Sequence, residues 1–466
     1  MRILFPTAEV APFSKTGGLG DVASALPRAL ARLGHEVLVV TPWYQSVRSE
    51  PAPYWIGDVQ APFDGGFEPV GVGTLESNGV RYAFVGHPDF GRGRLYGYTD
   101  DVRRFARFSR AVPQVAERLG FVPDVVHAHD WHTGFVPLLL TRGWHLPAGF
   151  PFLPSVFTVH NVQFQGEAPM ADTLRWLRLG SSEARSYLDH FGAANAMQAG
   201  VGFATRVTTV SPTYAQELQQ PEFGFTLDGT FRAVAGKTVG ILNGIDDAVW
   251  NPRTDPHIKA RYHADDMAGK ELCRGELVRQ FGLDDARPLL GVVSRFAAQK
   301  GIDLILAAAE RLLAMGWNLF FLGTGDVEIE GAVRDLTAAR PREAAAVIGY
   351  DEALSHRVYA AADALAVPSR FEPCGLTQMI AMRYGTLPVV RSTGGLRDTV
   401  THGVTGFVFE HATPEGVVWA AEEALQAFGT PAWTEMQRSG MLRDLSWDSS
   451  ARSYADLYAS VLPSVP

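Results

Sequence analysis

Cysteine is scarce in this 466-residue chain: Cys273 and Cys374 are the only two, so no disulfide framework is implied and a reducing compartment fits. Positive charge is also in deficit, with 41 Lys and Arg against 50 Asp and Glu and a formal net charge of −9. That balance argues against wrapping nucleic acid, where many phosphates must be neutralised. It leaves a small phosphorylated ligand open, because one or two placed cations suffice for that. No stretch approaches the roughly 18–20 apolar residues of a membrane helix. The opening run Met1-Arg-Ile-Leu-Phe-Pro6 is too short for a signal-peptide core and is stopped by proline. The expectation is a cytoplasmic protein with no membrane and no nucleic-acid partner.

What is present is enough apolar material, 46% of residues, for more than one core. At this length a single core usually divides, so two domains are expected. Arg2–Phe5 reads as a buried strand, a glycine loop follows, and Val22, Leu26, Leu30 and Leu33 recur at helical spacing over 21–33. Gly34 stops that helix, and Glu36–Val40 is the next strand, completing a βαβ unit. Further strands are read at Asp124–His127 and Ser155–Val159, each ending in a polar cluster. The pattern restarts with strands at Pro288–Val293, Trp317–Leu322, Ala346–Ile348, Ala364–Val367 and Leu387–Val390, and with a helix from Asp303. Alternation of this kind predicts an α/β protein of two doubly wound domains. Gly240–Asp246, with its Asn-Gly turn signal, marks the crossing: residues 1–242 and 243–446 are the expected domains. Parallel sheets place ligand loops at the carboxyl ends of their strands, so the polar clusters are the candidate site.

The first cluster is Lys15-Thr-Gly-Gly-Leu-Gly-Asp21. Gly17 and Gly18 let the backbone approach a phosphate or sugar, and the helix beyond offers free N–H groups. The spacing matches neither the P-loop nor the dinucleotide fingerprint, and a plain glycine turn with a solvated lysine reads equally well in isolation. His127-Ala-His129-Asp130-Trp131-His132 is dense enough to hold metal, but no fourth ligand stands at a typical spacing. A polar carbohydrate-binding network is the preferred reading, with Trp131 suited to stacking on a sugar ring. Thr158-Val-His160-Asn161 ends another strand, where both polar side chains suit sugar hydroxyls. Arg295 and Lys300 flank a loop between strand and helix and can neutralise a departing diphosphate; as an isolated pair they read equally as solvated cations.

In Ser369-Arg-Phe-Glu372-Pro-Cys374-Gly375-Leu376-Thr377, proline keeps Glu372 out of helix, and amides near Leu376 and Thr377 open a helical run. Cys374 reads as a packed or contact residue, having no base nearby to make it a nucleophile. Tyr350, just beyond a strand, suits stacking on a nucleobase or is an exposed tyrosine of no consequence. No two aspartates are separated by a single residue, so the Asp-x-Asp metal clamp of many sugar-nucleotide enzymes is absent. Leaving-group charge then falls to cations and backbone dipoles, with no metal and no cofactor expected.

Together these segments, with Asn243-Gly-Ile-Asp246, Gly323-Thr-Gly-Asp326 and Thr393-Gly-Gly-Leu396, resemble the bacterial glycogen synthase and plant starch synthase family in family order. The resemblance implies a GT-B glycosyltransferase with a cleft between two Rossmann-like domains. It implies retaining transfer of glucose from ADP-glucose to the non-reducing end of an α-1,4-glucan, releasing ADP. It further implies that Lys15, Arg295 and Lys300 hold the diphosphate with the amides of Leu376 and Thr377, within the loops of Gly17, Gly18, Asp21, Cys374 and Gly375. By the same resemblance Tyr350 stacks on adenine, His160, Asn161, Asn243 and Glu372 position the glucosyl group, and Asp130 lies toward the acceptor. The last helix, about 447–466, is implied to pack back on the first domain. Arg397 departs from the family pattern, in which a smaller residue follows Thr-Gly-Gly-Leu. Two rival readings are a catalytically silent glucan-binding or sensor protein, and a glucan phosphorylase-like enzyme carrying pyridoxal phosphate.

Overall fold

The computed structural model describes residues 1–45 and 52–463. The chain divides into two compact units, 1–210 with 215–242 and 447–466, and 211–214 with 243–446. The exchange of 211–214 had no signal in the sequence.

In the first unit the strands are β1 (Arg2–Pro6), β2 (Glu36–Pro42), β3 (Tyr54–Phe63), β4 (Gly66–Ser77), β5 (Val80–Gly86) and β6 (Val125–His129). They continue with β7 (Ser155–Val159), β8 (Glu167–Pro169), β9 (Asp189–His190), β10 (Ala193–Asn195), β11 (Arg206–Thr209) and β12 (Thr238–Gly240). Nine of them form one sheet in the order β12-β11-β7-β6-β1-β2-β5-β4-β3, and β8-β10-β9 form a small antiparallel one. The large sheet is parallel from β12 to β5 and antiparallel at β4 and β3. The β3–β5 meander is absent from the sequence reading, although its turn signals are there. Asp64-Gly65 and Asn78-Gly79 adopt left-handed pairs with φ of 48° and 81°, and 51° and 75°. Those are the Asx-Gly hairpin turns whose twist matches paired strands.

The second unit holds β13 (Leu289–Val293), β14 (Asn318–Gly323), β15 (Ala344–Ile348), β16 (Ala364–Val367), β17 (Leu387–Arg391) and β18 (Phe407–Phe409). Their order is β15-β14-β13-β16-β17-β18, with every pairing parallel. Each sheet therefore reverses its winding once, between β1 and β6 in the first unit and between β13 and β16 in the second. Chains leaving such neighbouring strands diverge to opposite faces and leave a crevice at the carboxyl ends.

Two features of the first unit's interior are chemically unusual. On the helix Asp101–Arg118, Arg104, Arg107 and Arg110 are at most 2% exposed. Arg104 pairs with Asp101 and donates to the Leu95 carbonyl at 3.3 Å. Arg107 pairs with Asp89 and, at 2.8 Å, with Glu68. Arg110 donates to the carbonyls of Trp144 and Leu177. A fork of fixed donors suits this work of tying loops to a helix. The final helix runs Trp447–Val461, while 464–466 lie outside the described residues. It packs Trp447, Ala451, Tyr454 and Tyr458 into the core that also takes Val22, Leu26 and Leu30 of the helix Gly18–Arg32.

The second feature is a histidine layer. Tyr458 brings its hydroxyl 2.7 Å from His127 Nδ1, and His127 Nε2 lies 2.6 Å from Thr158 Oγ1. The rings of His127 and His129 lie 4.1 Å apart, both fully buried. His127 is thus a core group and not a ligand contact. Burial drives both imidazoles well below their usual range, with neighbouring histidines adding to the effect. Because the unfolded chain protonates near 6.5 while the folded one resists, their stabilisation is complete above that pH and lost below it. His127→Gln is therefore expected to be less stable than the parent at pH 7.5 by roughly 1–3 kcal/mol, through loss of buried hydrogen bonds. The gap should narrow by about 1–2 kcal/mol at pH 5, measured by urea unfolding at the two pH values.

Candidate functional site

In the first unit the Lys15 loop leaves β1, and its helix begins at Gly18, three residues earlier than the periodicity implied. A side chain on Gly17 or Gly18 would meet nothing within 4 Å, whereas one on Gly20 would press on Lys15 and on the Ser14 carbonyl. Nothing in the protein's own packing requires glycine at 17 and 18, so the open space is available to a ligand. The amides are not all available. Those of Thr16 and Gly17 donate to the Glu9 carboxylate at 2.6 and 3.2 Å. Gly18 and Leu19 have no protein acceptor for theirs among the described residues. Lys15 is exposed and forms an ion pair with Asp21 at 2.7 Å. Asp21 is thus placed as the resting counter-ion of Lys15.

After β6, Asp130 adopts φ 53°, a left-handed conformation that a non-glycine residue takes only under constraint. The constraint is visible: Asp130 Oδ1 accepts the His160 amide at 2.7 Å and the Asn161 amide at 3.4 Å. Asp130 therefore ties the end of β6 to the end of β7. Burial raises its carboxyl to about 7, against the lowering effect of those amides. His160 is pushed down to about 3 by burial. Its Nε2 lies 3.0 Å from His129 Nδ1, while His129 Nε2 is buried without a partner among the described residues. An orphaned N–H costs more than an orphaned lone pair, so the proton belongs on His129 Nδ1. His160 Nε2 then accepts, and the His160 proton sits on Nδ1. Asn161 Oδ1 caps the Gln163 amide at 3.0 Å, leaving its amide nitrogen for a ligand.

Beside these residues is a cleft of about 480 Å³ whose lining includes Trp131, Gln163, Phe164, Gly166, Glu167 and Phe225. Gly166 has φ +68°, and a Cβ there would run into the Trp131 ring. Phe164 is 59% exposed. Of this lining the sequence reading identified Trp131 alone; an exposed aromatic among the glutamines after Asn161 was the signal for the rest. Among the described residues no group of three or more His, Cys, Asp or Glu is placed to hold a metal ion.

In the second unit, the loops after β13 and β16 flank the switch point and interlock. Gly301 has φ +68°, and a Cβ there would strike the Pro368 carbonyl. The result is that Lys300 Nζ lies 2.6 Å from Glu372 Oε2, which also accepts the Ser369 hydroxyl at 2.9 Å. Glu372 is 6% exposed, and both partners fall on one oxygen, leaving Oε1 for a ligand hydroxyl. The Arg295 guanidinium is exposed with no protein partner among the described residues. Gly375 takes φ +72°, and the Leu376 and Thr377 amides that follow it have no protein acceptor among the described residues. The chain here is backed by Gly395, whose N–H donates to the Glu372 carbonyl at 3.0 Å.

Cys374 is buried, and burial pushes its thiol up to about 12, so it is packed and chemically quiet. Asn243 is 8% exposed, and its buried Oδ1 has no hydrogen-bond partner among the described residues. Tyr350 is 78% exposed beyond β15, its hydroxyl donating to Glu352 at 2.6 Å. Arg397 is exposed on the helix Gly394–Thr399.

Comparison with known proteins places the chain in a family. Residues 2–233 match the family model for the starch synthase catalytic domain, and 274–429 match that for glycosyl transferases group 1. The glycogen synthase of Deinococcus deserti is 47% identical over 99% of this chain and 100% of its own length. That of Streptococcus sanguinis is 42% identical, with 99% and 100% covered. The catalytic domain of starch synthase IV from Arabidopsis thaliana, solved bound to ADP and acarbose, superposes with a TM-score of 0.89 at 37% identity, covering 99% of both chains. With two Rossmann-like units, a starch synthase catalytic domain and full-length likeness to glycogen synthases, the chain belongs to the glycogen synthase family of GT-B glycosyltransferases.

Proposed function

We propose that this protein transfers glucose from ADP-glucose to the non-reducing end of an α-1,4-glucan, with retention, and releases ADP. The observation that carries this reading is the cluster after β13 and β16: Lys300 on Glu372, Arg295 unpaired, and two open amides at a sheet's switch point. In this reading Lys15, Arg295 and Lys300 carry the diphosphate, with the Leu376 and Thr377 amides. Tyr350 takes adenine. His160, Asn161, Asn243 and Glu372 hold the glucosyl group, and Trp131 with its cleft takes the acceptor.

Chemically, the bond between the anomeric carbon and the phosphate oxygen breaks, and one from that carbon to the glucan 4-hydroxyl oxygen forms. On the family pattern the incoming hydroxyl attacks from the face the phosphate leaves, and its proton passes to the departing phosphate oxygen. Negative charge growing on that oxygen is met by fixed cations and amides, so no metal is called for in this scheme. Glu372 suits the role of charge and hydroxyl acceptor better than that of nucleophile, because Ser369 holds its Oε2 and its Oε1 is left for a hydroxyl. Neutral His160 suits hydrogen bonding to a sugar hydroxyl from Nδ1.

Lys300→Ala and Arg295→Ala are each expected to lower kcat by roughly 10²–10³-fold with the melting temperature little changed. Turnover near the parent's in both variants would refute the assignment. Tyr350→Ala should raise the KM for ADP-glucose by about 3–10-fold, since a lost ring stack is of that order. A radiolabel transfer assay comparing ADP-glucose with UDP-glucose on glycogen tests the donor. ADP release that does not depend on glycogen would sink the transferase reading, and no release at all would favour a silent binder.

A further inference from the structure

Glu9 belongs to none of the motifs that mark the site, yet it is the most heavily engaged carboxylate beside it. It lies three residues beyond β1 and is 3% exposed. Its Oε2 accepts the amides of Thr16 and Gly17, at 2.6 and 3.2 Å. Its Oε1 accepts the Thr16 hydroxyl at 2.7 Å and the Tyr96 hydroxyl at 2.9 Å. Four donors converge on two oxygens, a set that an ionised carboxylate, which only accepts, can satisfy in full.

The backbone beneath Glu9 is fixed as well. Its carbonyl accepts Thr7 Oγ1 at 2.9 Å, and the carbonyl before it accepts the Tyr44 hydroxyl at 2.9 Å. Between Glu9 and Thr16 the chain makes a tight return, with Val10 and Ser14 exchanging backbone hydrogen bonds of 3.0 and 2.9 Å. Tyr96 carries the connection outward, its ring 4.6 Å from that of His132 on the turn after β6. One carboxylate thus joins two loops at the carboxyl edge of the first sheet, and the Tyr96 ring reaches a third.

We propose that Glu9 is a positioning residue for donor binding. By occupying the Thr16 and Gly17 amides from behind, it turns those of Gly18 and Leu19, with Lys15, toward the diphosphate. Glu9 itself touches no substrate in this arrangement. The inference rests on the proposed function for the identity of the ligand.

The test compares Glu9→Ala, Glu9→Gln, Tyr96→Phe and Thr16→Val, reading ADP affinity by calorimetry, both KM values, kcat and melting temperature. Glutamine can keep its carbonyl on the two amides and turn its NH₂ to the two hydroxyls, which are able to accept. The expected order is therefore a rise of about tenfold or more in the KM for ADP-glucose for Ala, and about threefold for Gln. The KM for glucan should stay at the parent value. Tyr96→Phe and Thr16→Val each remove one bond and should shift ADP affinity by about threefold. Thr16 is exposed, so that variant reports even if the Glu9 variants fail to fold. Parent-like ADP affinity in Thr16→Val, or a Glu9→Gln that melts early with an unchanged KM for ADP-glucose, would overturn the proposal. A parent protein that neither binds ADP nor uses ADP-glucose would instead overturn the donor assignment, and this inference with it.

Discussion

Where a parallel sheet reverses its winding, the two chains leaving adjacent strands must part, and the gap they open is filled by whatever their loops carry. Both units of this protein are built on that constraint. In the first, β1 and β6 part and deliver the Lys15 loop and Asp130; in the second, β13 and β16 part and deliver Lys300 and Glu372. The cations, carboxylates and imidazoles singled out above are placed by strand ends and not by independent features of the surface.

Charge at these edges is held in a paired resting state. Lys15 rests on Asp21 and Lys300 on Glu372, each within 2.7 Å. At these two lysines a phosphorylated ligand would exchange one anionic partner for another, and would not neutralise a bare cation. The Lys300 pair is largely withdrawn from water, where a single unpaired charge would be costly. The Lys15 pair is exposed and is screened accordingly. Arg295, without such a partner, is the cation whose contribution to ligand binding is not offset by a pair that must first break.

The sequence was most legible where loop chemistry is local. Buried strands announced themselves as apolar runs, and Ser155–Val159 and Ala364–Val367 were read to the residue. Asp130, His160 and Arg295 stood out because they follow such runs within a residue or two, and Lys15, Lys300 and Glu372 because they sit in the glycine- or proline-bearing loops beyond them. What stayed hidden depends on long-range contact. Glu9 meets Tyr96 across the chain, and no spacing rule encodes that pairing. Arg104, Arg107 and Arg110 recur as charges along a helix, a pattern that ordinarily means a solvated face, and only the carboxylates and carbonyls brought from elsewhere make it an interior one. His127 sat inside a polar motif but answers to Tyr458, more than three hundred residues away, and so belongs to the core.

The glycines of the second unit have a consequence for how such an enzyme can change. Beta carbons at Gly323 and Gly325 would collide with the carbonyls of Ser294 and Phe296, and one at Gly395 with that of Cys374. Main chain lies directly on main chain from one loop to the next, so these segments behave as a single block with no slack between them. A change of donor preference in this lineage has little room to arise by reshaping that block. On the proposed function, it would come from residues mounted on its rim, such as the exposed Tyr350, which can be exchanged while the scaffold stays as it is.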